Sequence, residues 1–72
     1  MSITSAQLQT ALGTNPMNAR VLKTDGTGTW GTVQRWYVMG NVDAPGRARW
    51  VETTASDDAA TQAAAVLVAL RT

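Results

Sequence analysis

All three tryptophans of this chain (Trp30, Trp36, Trp50), its single tyrosine (Tyr37) and three of its six basic side chains (Arg35, Arg47, Arg49) fall between residues 29 and 54. Indole rings bury large apolar areas, so a chain of 72 residues has to build its one small core around this stretch. Two runs within it, residues 29–39 and 47–53, are rich in Trp, Tyr, Val and Thr. They flank a loop marked by Gly40, Asn41, Asp43, Pro45 and Gly46. Aromatic and β-branched residues on both sides of such punctuation specify a β-hairpin.

Alternation along the first run separates Trp30, Thr32, Gln34, Trp36 and Val38 from Val33, Arg35, Tyr37 and Met39. The faces of the hairpin then depend on register, because a slip of one residue inverts them. Pairing Trp36 with Trp50 sets Val38 opposite Ala48 and Gln34 opposite Glu52, with Tyr37 beside Arg49 and Arg35 beside Val51. That register gives one indole face and one arginine–tyrosine face, and it is the one expected here. Its rival pairs Tyr37 with Trp50 and Arg35 with Glu52, gaining a charge pair but segregating the core less well.

The flanking segments complete the fold. In Ile3-Thr4-Ser5-Ala6-Gln7-Leu8, Thr4 and Gln7 form a capping box and Ile3 with Leu8 a hydrophobic staple. A helix over residues 5–12 follows, ended by Gly13 and Asn15-Pro16. Residues 19–24 read as a strand and Asp25-Gly26-Thr27-Gly28 as the turn after it. Ser56 with Asp57 and Asp58 opens a helix over 57–70, whose inward stripe is Ala59, Ala63, Val66, Leu67 and Leu70, widened by Ala60 and Ala64. Arg71 falls at its negative end, where a cation is favoured. The expected fold is a single α+β domain over residues 1–72, in the order α-β-β-β-α. A three-stranded antiparallel meander packs on the C-terminal helix, with the short N-terminal helix at an edge.

Composition closes off several functions. There is no cysteine and no histidine, so disulfides, thiolate chemistry and the commonest metal ligand are excluded. Asp57 and Asp58 are adjacent on a helix and do not face each other, so they form no acid–base pair. The glycines at 26 and 28 lack the Gly-Lys-Ser/Thr step that a phosphate loop needs. No enzyme activity, cofactor, metal or small-molecule substrate is expected. Six basic against five acidic residues leave a net charge of +1, too little to drive general nucleic-acid or membrane-surface binding. The N-terminal ten residues lack the apolar run of a signal peptide, and residues 63–70 are too few to cross a bilayer. Secretion by a signal peptide is therefore not expected.

Charged residues are 15% of the chain, against about 25% in an average domain. A surface poor in charge and rich in Thr and Ala suits a protein covered by neighbours. The expectation is a structural or interaction protein held in a larger assembly, such as a phage virion accessory, cement or connector protein, in the virion or host cytoplasm. The alternative is a regulatory binder, either a sheet-face DNA-binding domain or an inhibitor of a host enzyme. Candidate partner-binding residues are Arg35, Tyr37, Arg47 and Arg49 on the sheet, Val42 at the loop tip and Trp30 near the first turn. A protein partner or self-association is expected, with nucleic acid less favoured. Trp36 and Trp50 are both assigned to the core, and truncating Trp36 to alanine should cost about 3–5 kcal/mol. A Trp36→Ala variant is expected to have lost its cooperative melting transition in circular dichroism.

Overall fold

The computed structural model describes residues 3–27, 32–40 and 48–71. Its elements are α1 (Ser5–Leu12), β1 (Arg20–Thr27), β2 (Val33–Met39), β3 (Ala48–Thr54) and α2 (Ala59–Leu70). The three strands form one antiparallel sheet in the order β1-β2-β3, and the fold is α-β-β-β-α. Both helices cover one face of this sheet, α1 against α2 and β1, and α2 against β3. The N-terminal helix is thus part of the core layer, and its Leu8 is fully buried.

Local signals set the ends of α1. Thr4 Oγ1 accepts from the Gln7 N–H at 3.1 Å, and Gln7 Oε1 accepts from the Thr4 N–H at 2.8 Å, closing the capping box. Gly13 ends the helix at φ +50°, a conformation that suits a residue without Cβ. Asn15 then shapes the connection to β1: its Oδ1 accepts from the N–H groups of Met17 (3.2 Å) and Ala19 (2.9 Å). These bonds do for the buried bend what backbone pairing does elsewhere.

The register of β2 and β3 is Arg35↔Glu52, Trp36↔Val51, Tyr37↔Trp50 and Val38↔Arg49. This corrects the expected pairing of Trp36 with Trp50 and moves every β3 side chain to the other face. The reason is polar rather than apolar. Trp36 is wholly buried, and its indole N–H needs an acceptor. In the observed register Thr53 lies on the inner face; its Oγ1 accepts from Trp36 Nε1 at 2.8 Å and donates to Gln62 Oε1 of α2 at 2.6 Å. Gln62 Nε2 in turn donates to the Asp57 carbonyl at 3.0 Å. Gln34, also buried, pins the N-terminal segment by accepting from the Ile3 N–H (3.3 Å) and donating to the Ile3 carbonyl (2.8 Å). The apolar core closes around this network with Leu12, Met17, Val38, Val51, Ala63, Val66 and Leu70.

Two further expectations change. β1 runs on through Asp25 and Gly26 to Thr27, with one-residue irregularities between Val21 and Lys23 and between Thr24 and Thr27. The expected turn at Asp25–Gly26 is therefore strand, and Gly28 lies outside the described residues. Helix α2 begins later than expected, because Asp58 and not Ser56 is its N-cap. Its carboxylate accepts from the Thr61 N–H at 2.8 Å, and hydrogen bonding to Thr61 holds its pKa below the usual value. Ala60 and Ala64, expected to widen the inward stripe, are exposed; Gln62 takes the buried place instead.

Replacing Thr53 by valine keeps the shape but leaves the Trp36 N–H and the Gln62 amide short of a partner. That should cost about 1–3 kcal/mol, and Thr53→Val with Gln62→Leu should cost less than the two single changes summed, read by denaturant unfolding.

Candidate functional site

The sheet face turned away from the helices carries the chain's accessible aromatic surface among the described residues. Tyr37 and Trp50, opposite each other on β2 and β3, hold their rings 5.1 Å apart at an interplanar angle of 44°. Trp50 is 38% exposed, so its ring is open to contact although it lies in the middle of a regular strand. The assignment of Trp50 to the core is overturned by the same register that makes Trp36 the core indole.

Cations bracket the rings. Between Val21 and Lys23 strand β1 holds one residue more than β2, so strict alternation fails there. Val21 faces inward with Val38, and Lys23, two residues on, pairs outward with Tyr37. Bulges re-aim side chains in this way. Lys23 Nζ lies 5.5 Å from the Tyr37 ring centroid and 5.7 Å from that of Trp50. On the other side, Arg35 Cζ lies 4.7 Å from the Trp50 centroid. Arg35 Nε is also 3.7 Å from Glu52 Oε2, a pair whose side chains are 42% and 66% exposed. At that exposure the ion pair is worth at most about 1 kcal/mol; its use is to hold the guanidinium over the indole. Arg20, paired outward with Met39, adds a further cation at the end of the face.

The expected site residues therefore divide. Arg35 and Tyr37 share the outer face with Lys23, Trp50 and Glu52. Arg49 does not: it pairs with Val38 on the inner face, and its Nη2 donates to the carbonyl of Ala69 near the end of α2. It adds a cation at the negative end of α2, where Arg71 also lies, as expected, as the C-cap residue. The expected neighbour of Tyr37, Arg49, is replaced by Lys23. Arg47, Val42 and Trp30 lie outside the described residues, as does the loop over 41–46. Sequence reasoning missed Lys23 and Trp50. The rival register contained the signal for Trp50, whereas nothing in the local sequence marks the bulge that turns Lys23 outward.

Concavities border several of the described elements. One of about 580 Å³ lies between α1 and the start of β1, with Gln9, Asn15, Arg20 and Met39 in its walls. A shallower groove between the helices is lined by Ala6, Thr10, Ala11, Ala59 and Ala60. A cleft of about 380 Å³ lies beside β3, bounded by Arg35, Arg49, Trp50, Glu52 and Ala69. Among the described residues no three carboxylates, histidines or cysteines stand close enough to hold a metal ion. No described helix is long and apolar enough to cross a membrane. Comparison with protein-family models, with curated proteins and with solved structures gives no match for this chain. Function has to be argued from the residues themselves.

The aromatic pair on the outer face should couple modestly. In a double-mutant cycle, Tyr37→Ala and Trp50→Ala are expected to show about 0.5–1.5 kcal/mol of interaction. Each variant should keep its cooperative unfolding, in contrast to Trp36→Ala.

Proposed function

We propose that this protein is a small non-enzymatic interaction module, a subunit of a larger assembly of the kind that virion accessory, cement and connector proteins represent. It meets a protein partner with the outer sheet face. The observation that carries this reading is the Tyr37–Trp50 pair, held at the surface between Lys23 and Arg35. Tyrosine, tryptophan and arginine are the side chains that most often dominate binding energy when a partner covers them. A stacked, ion-paired Arg35 is already ordered, so little side-chain entropy is lost when a partner docks. The charge-poor composition and the small core point the same way, since neighbours add buried area that a chain of 72 residues cannot supply alone.

A second reading, a sheet-face binder of single-stranded nucleic acid, draws support from one observation. Among the side chains described on this face, Arg20, Lys23 and Arg35 outnumber the carboxylate of Glu52. Bases stack on aromatic rings flanked by cations. Two measurements separate the readings. Under the first, Trp50→Ala should weaken binding to a co-purified protein partner by roughly thirtyfold or more, the scale of a hot-spot residue, with the melting transition retained. An undiminished affinity would place the contact elsewhere. Under the second, a single-stranded oligonucleotide should quench tryptophan fluorescence at low salt and release on adding salt.

A further inference from the structure

The two edges of the sheet are unlike. β1 departs from one-to-one pairing twice, and its Val21 N–H is taken by Gln9 Oε1 of α1 at 2.8 Å. β3 pairs with β2 without a break over all seven residues, from Met39↔Ala48 to Val33↔Thr54. Among the described residues it has a strand neighbour on one side only. A bulged and covered edge resists further pairing, whereas a regular one is a template for another strand.

We propose that β3 pairs antiparallel with β3 of a second copy of this chain, about a two-fold axis through Val51. A two-fold axis normal to a sheet sets residues of the same face opposite one another, so it must pass through a residue and not between two. Val51 is the midpoint of Ala48–Thr54. An axis there matches the strand end to end: Ala48 with Thr54, Arg49 with Thr53, Trp50 with Glu52, and Val51 with itself. The neighbouring choices do worse. An axis on Glu52 sets two glutamates opposite each other, which is destabilising. An axis on Trp50 matches described residues to one another only over 48–52.

The Val51 axis also orders the charges. Across the outer face the row would run Lys23, Tyr37, Trp50 in one copy, then Glu52 and Arg35 in the other, followed by its symmetry mate in reverse. No like charges stand opposite each other. On the inner face Trp36 and Val51 of each copy meet in one apolar row, Val51 against Val51. The cleft along β3, walled by Arg35, Arg49, Trp50, Glu52 and Ala69, is the space the incoming strand enters. This inference goes beyond the face-binding reading, because edge and face are separate surfaces and either can fail alone.

Light scattering of the unmodified chain over a wide concentration range should show a shift from one chain mass to two. Because the chain has no cysteine, introduced thiols report single pairs. Directly opposed Cβ atoms across antiparallel strands stand about 4.5–5.5 Å apart, diagonal ones about 7–8 Å, and a disulfide needs close to the former. An equimolar mixture of Trp50→Cys and Glu52→Cys should therefore form a mixed disulfide on mild oxidation, while each variant alone stays uncrosslinked. Both substitutions are at exposed positions, and circular dichroism should show both variants folded. A chain that stays monomeric throughout, or a variant that crosslinks to itself in preference to the mixture, overturns the proposal.

Discussion

The indole N–H of Trp36 cannot be buried without an acceptor, and much of the structure is arranged to provide one. Thr53 accepts it and passes the hydrogen bond to Gln62, which is itself anchored on the Asp57 carbonyl before α2. These few bonds fix the register of β3 against β2 and the seating of α2 on the sheet together. A wholly apolar layer would tolerate several arrangements of similar energy, since hydrophobic burial is not directional. Buried polar groups do not, because each misplacement leaves a desolvated donor or acceptor. In a core of this size one such chain is enough to select the fold from its near neighbours.

The outer face follows from that selection. Once Thr53 must point inward, Trp50 and Glu52 must point outward, and Tyr37 and Arg35 lie opposite them. The accessible aromatic pair and its bracketing cations are thus a geometric consequence of satisfying Trp36. Local chemistry then refines the arrangement. The Val21/Lys23 bulge turns a lysine toward the rings, and Arg49, displaced to the inner side, is used at the end of α2. The two arginines of the hairpin that the structure describes thus work on opposite faces, one orienting the surface and the other closing the core.

Much of the architecture was legible in the sequence. The capping box at Thr4 and Gln7, the glycine stop at Gly13 and the apolar spacing of Ala63, Val66 and Leu70 are local patterns; α1 appears where they place it and α2 begins two residues later. The register was not legible by apolar segregation, because pairing both indoles inward maximises apolar area and ignores where their N–H groups go. Counting donors and acceptors on the inner face, Gln34 and Thr53 included, would have favoured the other alignment. The β1 bulges and the shift of the N-cap from Ser56 to Asp58 had weaker signals. A bulge reflects how two strands compete for one core, and Ser56 and Asp58 are both good capping residues two positions apart. Of the candidate site, the residue types were legible and their grouping was not.

The difference between the two sheet edges has a consequence for how this protein can count. A strand edge is a bond-forming position, and a sheet with two usable edges can add neighbours without end, as fibrils do. Here the Gln9 contact and the irregular pairing of β1 remove one of those positions. On the proposed pairing through β3, what remains among the described strands is a unit of valence one. Any association along that edge terminates itself after a single partner, so concentration can saturate it but cannot make it grow.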